Sequence, residues 1–240
     1  VIELQVAQNL NRDTAVIRKD NDFAVLFESV NPNDFDSITG NIHFYLSGSN
    51  GYKSASIMNV PVFDSKMSTL VIERDKSVND ITSNNGYKLQ YRRNKKDRIT
   101  VSRSASISIE GSTESSYNAA WTGSGDVEFG NAFGTISGAP SLWADTNTMS
   151  GSIQEIRYWA NTLKDIVIDE HTLSRETYHG NSPTSSYFDL KFRFLPDSNL
   201  KTINNAGDSH LSQHPNQKVS TTQLGYPLTA SLFNFENDDL

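Results

Sequence analysis

Apolar side chains recur at every second position along much of the chain. In "RITVSRSASISIEG", Ile99, Val101, Ala105, Ile107 and Ile109 share one face with Arg103, while Thr and Ser mostly fill the other. "DSITGNIHFYLSG" puts Ile42, Phe44 and Leu46 in phase, and "GYKLQYRR" does the same with Tyr87, Leu89 and Tyr91. "MSTLVIERD" sets Leu70 and Ile72 against Val71, and "TAVIRKD" and "DFAVLFES" are shorter β-branched and aromatic runs. A period of two lines one face of a pleated strand. Polar turns rich in Asn, Ser and Gly separate the runs: "NPND", "SGSNG", "SNNG" and "EGSTESS". Many short strands joined by such turns predict an all-β sandwich or barrel.

Residues 151–181, "GSIQEIRYWANTLKDIVIDEHTLSRETYHGN", change rhythm. The first nine read as a strand that is apolar on both faces. Ile153 and Trp159 lie with Glu155 and Arg157, and Ile156 and Tyr158 lie opposite with Gln154. Such a strand is central or covered by another element. Thr162 then offers a helix N-cap, with Asp165 three residues later. Leu163, Ile166 and Val167 follow at helical spacing and are expected to bury against the sheet, with Lys164, Asp165 and Asp169 outside. His171 falls near the end of this short helix, where a cation suits the dipole, so its role is read as structural.

The character changes again after Pro196, where the chain turns polar and weakly periodic. The expected organisation is one domain over 1–195 and an extended arm, or a connection to a following module, over 196–240. Residues 223–235 keep Leu224, Tyr226, Leu228, Leu232, Phe233 and Phe235. That density of apolar groups predicts an ordered segment docked on the sandwich or on a neighbour. Pro227 suits an edge position.

Composition narrows the function classes. A length of 240 residues fits a single sandwich, and a net charge of -7 argues against a phosphate-binding surface. The basic run "YRRNKKDR" at 91–98 reads as a solvated hairpin turn. No nucleic acid partner is expected. The absence of Cys removes disulfides, thiol nucleophiles and Cys-zinc sites. No apolar run approaches the roughly 18 residues that span a bilayer, so no membrane insertion is expected.

Candidate chemistry is sparse. No Gly-x-Ser-x-Gly elbow is present. His43, His171, His179, His210 and His214 lack metal-binding helix spacing and read as loop or structural histidines. Trp143, Tyr52 and Tyr117 sit in polar, turn-like contexts and are the candidates for stacking on sugar rings. Capping the core is the competing role for Trp143. Trp121 and Trp159 lie in strand-like runs and read as packing residues.

One resemblance rests on particular residues. "GSIQEIRYWANTLKDIVIDEHT" carries Gly151, Ile153, Glu155, Ile156, Arg157, Trp159 and Leu163, preceded by "YNAAWTGSG" and "GDVEFGN". It resembles the late strand and short helix of laminin-G-like domains, in the concanavalin A-like lectin and glucanase group of jelly rolls. The continuation "HTLSRETYHGNSPTSSYFDLKFRFLPDSNL", with "SHLSQHPNQ" after it, is similar to modules of very large tailed-bacteriophage virion proteins. The resemblance implies a concanavalin A-like jelly-roll β-sandwich with one short helix and an extended C-terminal arm.

What it implies for function is a non-enzymatic structural or glycan-contacting module of a virion, in a tail, fibre or surface decoration. The partners it implies are other virion subunits or modules of the same chain, and cell-surface glycan. The rival expectation is a secreted lectin or a carbohydrate-binding module attached to a hydrolase. Glucan-cleaving relatives carry Glu-x-Asp-x-Glu on one strand. Here only Asp126 and Glu128 stand in that pattern, with Gly130 in the third place, so catalysis is not expected. No cofactor is required. Structural calcium is the one ion the resemblance suggests, at Asp20 with Asp22 and at Asp145 with Asn147. Asp34 with Asp36 is a third oxygen pair. Turn formation also accounts for all of these.

Overall fold

The period-two runs become strands. A computed structural model describes residues 1–6, 13–19, 23–31, 34, 36–48, 51–76, 85–109, 127–130, 147–149, 151–174, 177, 179–182, 185, 189–194 and 228–230. The strands are β1 (Ile2–Val6), β2 (Thr14–Lys19), β3 (Phe23–Ser29), β4 (Thr39–Gly48), β5 (Gly51–Pro61), β6 (Ser68–Lys76), β7 (Asn85–Lys95) and β8 (Arg98–Ile109). They continue with β9 (Val127–Phe129), β10 (Asn147–Thr148), β11 (Gly151–Trp159), β12 (Leu190–Phe194) and β13 (Leu228–Ala230). One helix, α1 (Asp165–Leu173), lies between β11 and β12.

Two sheets result. A six-stranded antiparallel sheet runs β12-β11-β1-β6-β7-β8, and a seven-stranded sheet runs β13-β9-β2-β3-β4-β5, with β10 added parallel to β2. Of residues 223–235, expected to be ordered, 228–230 are described, and they pair with β9. The core lies between the sheets. Leu4, Leu70 and Leu89 enter it from one side, and Val25, Phe44 and Leu46 from the other. The Phe44 and Tyr87 rings meet across it with centroids 5.6 Å apart. Burying one such ring contributes about 2–3 kcal/mol. The buried hydroxyl of Tyr91, on β7, donates to the carbonyl of Pro61, on β5, at 2.7 Å and so ties the sheets together. The expected all-β sandwich with one short helix is what the described residues form.

The two-faced strand has a geometric cause. Glu3 pairs with Glu155 but Leu4 pairs with Ile153, so β11 bulges at the exposed Gln154. A bulge resets the alternation. Ile153 and Ile156 therefore both reach the core, against the expected assignment to opposite faces. Gly151 is needed for the same pairing, since a Cβ there would stand 2.0 Å from the Gln5 carbonyl oxygen.

The outer face of the six-stranded sheet is covered by α1. Val71 packs there with Leu163, Val167 and Ile168, flanked by Trp159. Leu163 and Val167 bury as expected, but Ile166 does not: it is 66% exposed, and Ile168 takes its place at 0%. The helix begins at Asp165 rather than after Thr162, with Lys164 at the N-cap and no side-chain cap. Asn181 holds this entry instead, accepting from the Lys164 N–H at 2.8 Å and donating to the Thr162 carbonyl at 2.7 Å. Each residue advances about 100° around a helix. A face centred on Val167, Ile168, His171 and Thr172 leaves Ile166 on the far side.

Charges are buried beside this contact. Arg157 donates from Nε to Glu155 Oε1 at 2.8 Å and lies 3.2 Å from Glu3 Oε1, while Arg193 bonds Glu155 as well. Arg92 donates to Asp165 Oδ1 at 2.7 Å and also bonds Asp169, so the two acids expected to face solvent hold the helix down. Arg93 points the other way and donates to Asp64 Oδ2 at 2.7 Å. The basic run at 91–98 is thus a solvated turn only at its tip, around Lys96 with φ 56°. Strand alternation continues through Arg92 and Arg93 and carries both side chains inside. Removing one partner of a pair buried on both sides, Arg157 with Glu155 or Arg93 with Asp64, costs about 3–5 kcal/mol.

Candidate functional site

The seven-stranded sheet also has an outer face, and α1 does not cover it. Alternation that sends Ile42, Phe44 and Leu46 inward turns Asn41, His43 and Tyr45 outward on β4. Register then fixes their neighbours. His43 stands opposite Leu26 of β3 and Ser56 of β5, Tyr45 opposite Ala24 and Ser54, and Asn41 opposite Glu28. Tyr52 of β5 is paired with Ser47 and packs against the Ala15, Ala24, Leu26 and Tyr45 cluster.

Three rings form a row on this face. His43 stacks on Tyr45 with centroids 6.0 Å apart at 23°, and Tyr45 meets the edge of Tyr52 at 5.6 Å and 64°. Tyr45 is buried, and burial, with Tyr52, Glu28 and Asp13 adding to it, pushes its hydroxyl up to about 12, so it stays protonated. Tyr52 keeps part of its surface in solvent, and Ser54, Ser56 and Met58 are exposed beside it.

A polar chain runs across the strands next to the rings. Ser56 Oγ lies 2.7 Å from His43 Nδ1, and His43 Nε2 lies 2.9 Å from Glu28 Oε2. Asn41 Nδ2 donates to the same carboxylate oxygen at 2.7 Å. Asn41 Oδ1 in turn accepts from the Asn59 N–H at 3.0 Å. Asn59 sits at φ 55°, a left-handed position that Asn tolerates, beside the shift in β4–β5 register. Partial burial works to raise Glu28, but hydrogen bonds from Asn41 and His43 outweigh it and hold the carboxyl below its usual range. The tautomer that makes both histidine bonds carries its proton on Nε2 and accepts the serine proton at Nδ1. On this outer face the partly exposed Tyr52 ring, the exposed Ser54 and Ser56 and the partly buried Glu28 carboxylate suit the apolar and polar sides of a sugar.

The expected site residues fall as follows. Tyr52 is the second residue of strand β5 and not part of a turn. Trp143 and Tyr117 lie outside the described residues, as do Asp20, Asp22 and Asp145. Asn147 is described through its backbone, paired with Thr14. Asp34 Oδ1 accepts the Asp36 N–H at 3.1 Å, which is the turn contact expected of that pair. Glu128 stands on β9 opposite Arg18 and Thr229, and Asp126, His210 and His214 lie outside the described residues.

Two histidines differ from expectation. His171 is no cation at a helix end. It is fully buried, stacked on Trp159 with centroids 5.8 Å apart, and its Nε2 donates to the His179 carbonyl at 2.8 Å. Burial, aided by Arg157, pushes its pKa down to about 4. His43, read as a loop residue, lies in the middle of β4. The sequence does carry a signal for it, since it alternates with Ile42 and Phe44. Its partners follow from strand register, which no local pattern reveals.

No family model matches the chain, and neither does any curated protein or solved structure.

Proposed function

We propose that this chain is a structural and glycan-contacting module of a bacteriophage virion, set in a tail, fibre or surface decoration. Its contact surface is the outer face of β3, β4 and β5. The observation that carries the reading is the partly exposed Tyr52 ring at the end of the His43–Tyr45–Tyr52 row, with Ser54 and Ser56 along the row and Glu28 at its His43 end. The virion setting, the neighbouring subunits as partners and the jelly-roll type of the sandwich rest on the resemblance of the late strand, helix and following segment. The module holds glycan and does not cleave glycosidic bonds. The paired carboxylates Glu3 and Glu155 lie under the helix, engaged by Arg157, and Glu28 is engaged by Asn41 and His43.

Binding of purified host cell-surface polysaccharides, read by calorimetry, tests the contact. The chain should bind one of them, and Tyr52→Ala should weaken that binding about tenfold, the equivalent of one aromatic stacking contact. Unchanged affinity in Tyr52→Ala would remove this face from the reading. Mass spectrometry of purified particles tests the setting, and a particle without this chain refutes it.

A further inference from the structure

Ser56, His43 and Glu28 belong to three adjacent strands, and register alone brings them together. The 2.7 Å contact from Ser56 Oγ to His43 Nδ1 and the 2.9 Å contact from His43 Nε2 to Glu28 Oε2 join a hydroxyl, an imidazole and a carboxylate in line. This is the geometry of an activated nucleophile: a hydroxyl in reach of a base whose other nitrogen is held by a third group. Asn41 anchors the carboxylate from behind. Ser56 is exposed, so an acyl group can reach it, while the His43 side chain is only 13% exposed and is fixed by its stack on Tyr45.

We propose that Ser56 is a nucleophile, with His43 its general base and Glu28 the residue that positions that base, in a site that cleaves small acyl esters. As Ser56 Oγ attacks the ester carbonyl carbon, its proton passes to His43 Nδ1. The bond to the alcohol oxygen breaks, and the imidazolium returns that proton to the departing alkoxide. Water then attacks the acyl-serine, losing a proton to the same nitrogen, and Ser56 leaves with it. Ester and water become alcohol and carboxylic acid. No redox partner or metal enters the balance. Glu28 stabilises the imidazolium that forms in each half. The inference goes beyond a purely binding role. O-acyl groups on glycan hydroxyls are the ester class that a glycan-contacting face meets, and this choice of substrate rests on the proposed function. The assignment of the nucleophile does not.

The test uses the full chain and a fluorophosphonate probe, with labelled serines identified by peptide mapping. Ser54 lies two residues away on the same exposed face and has no imidazole bonded to it among the described contacts, so it is the internal control. Ser56 should label at least about tenfold faster than Ser54, in keeping with the gain from a positioned base. His43→Gln should abolish that difference, and added imidazole should restore labelling in His43→Ala. Glu28→Gln should lower the maximal labelling rate and leave the half-saturating probe concentration unchanged. Melting curves establish that each variant is folded. An unlabelled Ser56 in the folded wild type, or a Ser56 that labels no faster than Ser54, overturns the proposal. Labelling of Ser56 without binding of any polysaccharide upholds the nucleophile and removes the glycan function. Binding without labelling does the reverse.

Discussion

Acid should loosen the sandwich through His171, and the effect can be sized. The ring is fully buried and stacked on Trp159, its Nε2 donates a hydrogen bond to the His179 carbonyl, and Nδ1 has no partner among the described residues. Burial first, and the Arg157 guanidinium second, lower its pKa from 6.5 to about 4. A depressed pKa means that the unfolded chain takes up the proton first. The stability held by neutral His171 is therefore complete above about pH 6.5 and is lost as pH falls toward 4. At about 1.4 kcal/mol for each pH step between 6.5 and about 4, the full loss is about 3–4 kcal/mol. At pH 5 it should already reach about 2 kcal/mol. Urea unfolding at pH 8, 6 and 5 measures it in the wild type and in His171→Phe. The variant keeps a ring against Trp159 but loses the bond to His179, so it should start about 1–2 kcal/mol lower at pH 8. Its further loss between pH 8 and 5 should be smaller than the wild type's by about 2 kcal/mol. Equal losses in the two proteins would refute the argument, because carboxylates common to both would then account for all of the acid sensitivity.

Two further outcomes test the packing. Ile168→Ala should lower stability by about 2–4 kcal/mol in a urea titration, while Ile166→Ala and even Ile166→Asp should stay within about 0.5 kcal/mol, since Ile166 is 66% exposed; a costly Ile166→Asp would place the helix in another rotation. Gly151→Ala puts a methyl 2.0 Å from the Gln5 carbonyl oxygen, so β1 and β11 must separate; we expect a loss of about 3 kcal/mol or more, and a melting temperature within a degree of wild type would show that the strands can yield.

The strands were the legible part of this chain. Phase along each run told which of Ile42, His43 and Phe44 share a face, because a period of two is local information. The errors came where something distant in sequence decided the outcome. The helix began at Asp165 because Asn181, well beyond the helix, holds the preceding turn. The resulting rotation buried Ile168 and exposed Ile166. Arg92 and Arg93 read as solvent-facing because their acids, Asp165, Asp169 and Asp64, come from other elements. The bulge at Gln154 became visible only once Leu4 was seen opposite Ile153. At the candidate site the pattern of the chain names Tyr52, which stands in a strand and not in a turn, and reads His43 as a loop residue although it too lies in a strand. A Ser, a His and a Glu separated by 13 and 15 residues have no motif spacing. They become a site only when three strands align.

The placement of β1 has a consequence for how the molecule is made. Its neighbours are β6 and β11, so a strand made before both of them waits for one partner from near residue 70 and another from near residue 155. The β2–β5 and β6–β8 meanders join neighbours in sequence and can assemble early. The seam through β1 closes by contacts of long loop length, which are slow to form. Until β11 emerges, one edge of β1 stays open to pairing with another nascent chain, and Glu3 waits without Arg157. Completion of the six-stranded sheet thus waits for β11 and β12, after the two meanders have been made. Synthesis rate and chain crowding, more than the strength of the finished core, would govern the yield of native protein.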